Sequence, residues 1–107
     1  MRKVRLVLLG LLLAPGALEA KVEVECNSPR RPETYWVVPQ RAADAYASNL
    51  PLLRRKIPEL GYELPMGEPA NLPEGRYYLY PVCPNIGIYP QGKLVSSSQT
   101  RVTIGCP

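Results

Sequence analysis

Hydrophobic and polar residues alternate in two short segments near opposite ends of the chain. Residues 22–26 (VEVEC) and 102–106 (VTIGC) each place an apolar side chain at every second position. A period of two is typical of a β-strand with one buried face. The pattern therefore predicts two strands, with Cys26 and Cys106 continuing their buried faces.

Further β-prone segments lie between these two, rich in β-branched and aromatic residues and bounded by proline or glycine. They cover residues 34–38, 76–82, 85–89 and 93–96, and the second alternating segment itself extends over residues 101–106. Pro39 ends the first of them, and Pro90, Gln91 and Gly92 form a turn signal between two others.

A helical pattern covers residues 41–57. Its apolar residues recur at spacings of three and four and form one stripe: Ala43, Tyr46, Leu50, Leu53 and Ile57. Pro51 interrupts this stripe, and a proline inside a helix costs about 3 kcal/mol. Two helical pieces avoid that cost if Ser48 or Asn49 caps the second, which places Pro51 in its first turn. A single kinked helix is the alternative.

The helix is predicted to end at Pro58 and Gly61. Residues 63–75 hold three prolines and are predicted to form a stiff, extended connection. Together the elements predict an α+β fold: one small domain with a mostly antiparallel sheet of four to five strands and one kinked or split helix.

The first 20 residues have the three parts of a secretory signal peptide. Basic residues at positions 2, 3 and 5 precede an apolar run at 6–14, and Ala20 offers a cleavage site. A membrane-spanning helix needs about 20 apolar residues, which is more than this run contains. We therefore expect residues 1–20 to be removed, residues 21–107 to form an exported domain, and no stable membrane span to remain.

The chain has 107 residues and a formal net charge of +4. Part of that charge leaves with the signal peptide, so the remainder lacks the strong basic footprint of a nucleic-acid-binding protein. The chain has no histidine and no CxxC motif. These absences argue against a zinc site, a redox motif and acid–base catalysis. We expect no metal, no cofactor and no catalysis.

Three cysteines, Cys26, Cys83 and Cys106, lie in the predicted exported part, where one disulfide is the expected state. Cys26 could pair with Cys106 if their strands run parallel as neighbours. A crossover through the helix would instead bring Cys26 beside Cys83. Both geometries favour Cys26 as one partner, and the remaining thiol could link two chains.

The aromatic residues are concentrated in residues 76–82. Tyr78 and Tyr80 would share one face of this strand and Tyr77 the other, so neither face is polar. The strand is therefore either central and covered on both sides, or it exposes one tyrosine face for binding. The predicted contact surface comprises Tyr77, Tyr78, Tyr80, Trp36 and Met66, the last within residues 63–75.

Arg54, Arg55 and Lys56 form a compact basic run. Cations in the last turn of a helix interact favourably with its dipole. This interaction is the ordinary explanation of such a run. The alternative is a docking patch for anionic molecules of the cell envelope.

These features predict an exported, non-catalytic protein of the bacterial cell envelope or of a surface assembly, which binds another envelope or extracellular protein. The alternative is a secreted inhibitor of a hydrolase that inserts a disulfide-braced loop into its target. A third hypothesis is that the protein is a small hydrolase.

Overall fold

The computed structural model describes residues 19–26 and 29–107, so most of the predicted signal peptide lies outside the described residues. The strands are β1 (Ala20–Cys26), β2 (Thr34–Pro39), β3 (Tyr62–Pro65), β4 (Ala70–Leu72), β5 (Arg76–Cys83), β6 (Gly87–Ile88), β7 (Lys93–Ser96) and β8 (Arg101–Ile104). The helices, α1 (Gln40–Asp44) and α2 (Leu50–Leu60), both lie between β2 and β3.

The strands form two sheets. The smaller sheet has the order β4–β1–β8, in which β1 pairs antiparallel with β4 and parallel with β8. The larger sheet has the order β3–β2–β5, and β6 and β7 both pair with the far side of β5; all its pairs are antiparallel. The predicted α+β fold is confirmed, with a second sheet beside the predicted one.

The two sheets pack face to face around one apolar core. Every strand except β3 and β6 contributes at least one buried side chain: Val22, Val24, Tyr35, Val37, Ala70, Leu72, Leu79, Val95, Val102 and Ile104. Leu64 of β3, Met66 and Tyr77 pack against this core and are partly buried. The alternation predicted for β1 and β8 therefore points inward, toward the larger sheet.

The two helices cover the opposite face of the larger sheet. Ala43 of α1 with Leu53 and Ile57 of α2 packs on Val38 and Tyr80 to form a second buried cluster. The larger sheet is thus the middle layer of three, with a sheet on one side and helices on the other.

The helical segment is split, as predicted. The side chain of Asn49 accepts a hydrogen bond from the backbone N–H of Leu52 at 3.1 Å and caps α2. Pro51 then lies in the first turn, where a missing N–H costs nothing. The prediction that Pro58 ends the helix was wrong: α2 continues through Pro58, and Gly61 donates the closing backbone hydrogen bond to Ile57.

Residues 63–75 are not a single extended connection. They contain most of β3 and all of β4, which belong to different sheets. Pro65 occurs at the last position of its strand, and Pro69 and Pro73 flank β4, so none interrupts the paired backbone between strand ends.

The disulfide joins Cys83 to Cys106; the expectation that Cys26 is one partner was wrong. β1 and β8 do run parallel as neighbours, but Cys26 stands opposite Ile104. Cys106 is two residues further on, and strand spacings of about 4.8 and 3.3 Å place that diagonal at roughly 8 Å, beyond the reach of about 7 Å for a disulfide. The bond instead links the end of β5 to the chain after β8, and therefore connects the two sheets.

Replacing Cys83 and Cys106 together with alanine should lower the free energy of unfolding by about 3 kcal/mol, because the bond closes a loop with a sequence separation of 23. Urea unfolding followed by circular dichroism measures this change. Cys26→Ala is the matched control, and it should keep the disulfide and lose less stability. Equal losses in the two variants would contradict the pairing.

Candidate functional site

The five residues of the predicted contact surface do not lie on one surface. β5 is flanked by β2 on one side and by β6 and β7 on the other, so it is central. Tyr80 is only 2% exposed beneath the helices, and Trp36 packs at the edge of the same cluster. Tyr77 and Met66 pack on the opposite face, against the core between the sheets.

Tyr78 and Tyr80 nevertheless line an open groove beside the helices. The groove consists of two adjoining cavities of about 220 and 410 Å³ that share Leu50 and Pro90. We call it the α2 groove and define it by Leu50, Leu53, Arg54, Arg55, Tyr78 and Pro90. Two of the predicted residues thus contribute to it, one at its rim and one at its floor.

One wall of the α2 groove is the first turn of α2. The Asn49 cap starts the helix abruptly, and Leu50 at its first position turns outward with 38% of its surface exposed. A leucine in a helical stripe is normally a core residue, so the sequence pattern assigned Leu50 to the buried face. The sequence signal that places Leu50 at the rim of the groove is its position directly after the capping residue, at the start of the helix.

The opposite wall is the turn that contains Pro90. The N–H of Tyr89 donates to the carbonyl of Pro81 at 2.9 Å and fastens the turn to β5. Gly92 lies so close to the ring of Tyr80 that a Cβ atom there would approach a ring carbon to 2.7 Å. The turn can therefore pack on the tyrosine only because residue 92 has no side chain.

The basic run lies in the middle of α2, and no basic residue occupies the last turn. The dipole of the helix therefore does not explain it. Lys56 forms an ion pair with Glu59 at 3.6 Å, and Arg54 donates a hydrogen bond to the carbonyl of Ile86. Arg55 forms no ion pair or hydrogen bond within the described part of the chain, and it is an exposed residue that lines the groove.

Another cavity, of about 400 Å³, opens at the other side of the sandwich, where the edge strands β3 and β4 face each other. Tyr62, Leu64, Glu68 and Asn71 line it together with Lys21. We call this region the β3–β4 edge. Tyr62 is 45% exposed, and its hydroxyl donates only a long hydrogen bond of 3.5 Å to the carbonyl of Asn71.

Two side chains of β2 hold β3 and the loop that follows it. The hydroxyl of Tyr35 donates to the carbonyl of Glu68 at 2.5 Å, and the hydroxyl of Thr34 donates to the carboxylate of Glu63 at 2.5 Å. Both anchors come from β2, so the exposed edge rests on the central layer.

Within residues 19–26 and 29–107, no group of three or more Cys, Asp or Glu side chains is placed to hold a metal ion. No helix in those residues is long and apolar enough to cross a membrane. Comparison of the chain with protein-family models, curated proteins and solved structures finds no match.

The burial of Tyr80 predicts how the stability of the protein changes in alkaline solution. Desolvation, with smaller contributions from Tyr78 and Asp44, raises the pKa of its phenol to about 12. The ordinary pKa is about 10, so the folded state binds this proton more tightly than the unfolded chain. Its contribution to stability is therefore complete below about pH 10 and is lost as the pH rises through about 12.

We expect the free energy of unfolding to fall across that alkaline range, and Tyr80→Phe to reduce the fall. Urea midpoints measured at a series of alkaline pH values check this. An unchanged pH dependence in Tyr80→Phe would mean that the tyrosine is solvated, as a binding-face residue would be.

Proposed function

We propose that this protein is an exported, non-catalytic binding protein of a bacterial cell envelope or surface assembly, and that it holds a partner protein in the α2 groove. The observation that carries this proposal is the combination of exposed Leu50 and half-buried Pro90 with Arg55, an exposed cation that has no partner in the described residues.

The groove has the composition of a protein-binding surface. Protein interfaces are enriched in tyrosine and arginine, with an apolar centre and a polar rim. Here Leu50, Leu53 and Pro90 supply apolar surface, Tyr78 adds a half-buried ring, and Arg55 lies at the rim. This combination favours a protein segment with both apolar and charged side chains.

Two features support export. The Cys83–Cys106 disulfide suits an oxidising compartment, and the N-terminal 20 residues have the pattern of a signal peptide. β1 begins at Ala20, so cleavage after that residue would leave Lys21–Cys26 to pair with both neighbouring strands.

The envelope role is favoured over the inhibitor alternative by the position of the disulfide. An inhibitor of the kind considered would brace a projecting loop. This bond instead joins the ends of segments in two different sheets, where it stabilises the sandwich.

Site-specific cross-linking in the native host tests the proposal. A photo-activated benzoylphenylalanine replaces Leu50, at the groove, or Thr100, an exposed residue in the β7–β8 turn. We expect Leu50 to yield one dominant cross-linked species in the envelope fraction, and Arg55→Glu in the same chain to reduce its yield severalfold. The recovered protein should begin at Lys21.

Thr100 is the matched control because it is exposed but lines neither cavity of the groove. Equal cross-linking from the two positions, or a yield that Arg55→Glu leaves unchanged, would show that the groove is not the contact surface.

A further inference from the structure

Three polar side chains at the β3–β4 edge are not used by the fold. Lys21, Glu68 and Asn71 are exposed and line the cavity of about 400 Å³. None of these side chains forms a hydrogen bond or an ion pair within residues 19–26 and 29–107. The hydroxyls that reach Glu68 and Asn71 bind their backbone carbonyls instead. The cavity is therefore surrounded by hydrogen-bonding groups that are available to a ligand.

Tyr62 gives the same cavity an aromatic wall. Its side chain is 45% exposed, and half-buried Leu64 and Pro69 add apolar surface beside it. Glu63 points to the opposite side of β3 and does not line the cavity. Small-molecule sites have volumes of about 300 to 1,000 Å³ and combine apolar walls with a few polar groups. The β3–β4 edge matches this description.

The groups around the cavity are held in place by the backbone. Lys21 stands directly opposite Asn71 in the antiparallel pair of β1 and β4. The N–H of Glu68 donates to the carbonyl of Pro65 at 3.1 Å, and the hydroxyl of Tyr35 binds the carbonyl of Glu68 at 2.5 Å. A site that is already ordered loses less entropy when a ligand binds.

The prolines of this region disfavour a peptide strand as the ligand. The outer sides of β3 and β4 have no strand partner in the described residues. The alternating pairing with β2 turns the backbone of Glu63 and Pro65 outward, but Pro65 has no N–H to donate. Pro69 and Pro73 flank β4 in the same way. Because prolines at a sheet edge hinder the addition of a strand, we expect a ligand to engage the side chains.

The charges in the lining of the cavity balance. Glu68 contributes one carboxylate and Lys21 one ammonium group. Arg31 lies near Gly67 in the same loop but does not line the cavity. A lining without net charge favours an uncharged ligand, because binding follows electrostatic complementarity.

A saccharide has the chemistry that this lining would recognise. A sugar ring has an apolar face of C–H groups, which packs on an aromatic ring, and a rim of hydroxyls that both donate and accept hydrogen bonds. A carboxylate accepts, an ammonium donates and an amide does both. We propose that the β3–β4 edge binds a neutral saccharide, with a sugar ring on Tyr62 and its hydroxyls bonded to Glu68, Asn71 and Lys21. This site is separate from the α2 groove, so the proposal goes beyond the proposed function.

Titration of the purified exported protein, followed by nuclear magnetic resonance of its backbone amides, tests the proposal. The probes are short oligomers of glucose, mannose and N-acetylglucosamine, neutral polysaccharide released from the host's own envelope, and oligogalacturonate as an acidic comparison. We expect a neutral probe to give saturable shifts at β3, β4 and the loop between them. Its affinity should not fall at high salt, since salt screens only charged pairs. Tighter binding of the host polysaccharide would identify the envelope as the source, and equal binding of a free oligomer would identify a soluble sugar.

Variants show whether the side chains named above make the contact. Tyr62→Ala should weaken binding about tenfold, because the aromatic wall is lost, whereas Tyr62→Phe keeps the ring and should retain most of the affinity. Glu68→Gln should weaken binding severalfold, since hydrogen bonds to a charged acceptor are the stronger ones. Leu94→Ala is the matched control: Leu94 is 40% exposed and lies on β7, at the other edge of the larger sheet, so binding should be unchanged.

Three outcomes would overturn the proposal. They are no shift with any saccharide, including the host polysaccharide; binding that Tyr62→Ala weakens no more than Leu94→Ala does; and binding that is restricted to oligogalacturonate and lost at high salt. None of these outcomes bears on the α2 groove. The cross-link from Leu50 tests the proposed function separately, so the two proposals can fail independently.

Discussion

The structure depends on the burial of β2 and β5 on both faces. Val37 and Val38 are consecutive residues of one strand and point in opposite directions, yet both are fully buried. Leu79 and Tyr80 repeat this on β5. A sheet with two apolar faces has to be covered twice, because each exposed apolar face would forfeit about 25 cal/mol for every Å² left in water.

The smaller sheet and the helices differ in how completely they cover the larger sheet. The smaller sheet contributes Val22, Val24, Val102 and Ile104 to the core, and the disulfide holds it against β5. The helices are short, and they leave Tyr78 and Leu94 partly uncovered on the β7 side. The α2 groove is therefore the place where the helical layer ends before the sheet beneath it does.

The sequence predicts most elements because their signals are local. The period of two identifies β1 and β8, the bounds of β7 match the prediction, and Asn49 with Pro51 predicts the split of the helix. β3 and β4 escaped prediction because they are short and are bounded by prolines. Their pairing is provided by β2 and β1, which are distant in the sequence.

The disulfide and the groove needed the three-dimensional structure for the same reason. The strand pattern shows that Cys26 and Cys106 share an inward face, but only the register shows that Cys26 stands opposite Ile104. The aromatic pattern identified Tyr78 and Tyr80, while Leu50 and Pro90, forty residues apart, come together only through the packing of α2 beside the 89–92 turn.

Arg54 and Arg55 are adjacent in α2 but have different roles, and the contact of Arg54 helps to keep the groove open. Arg54 donates to the carbonyl of Ile86, which ties the helix to the chain that follows β5. Gly92 rests on Tyr80 and holds the opposite wall. Because these contacts fix both walls, the side chain of Arg55 is not needed for the fold. Arg55 lines the groove and has no internal partner in the described residues, so it can pair with an external carboxylate without first breaking an internal contact.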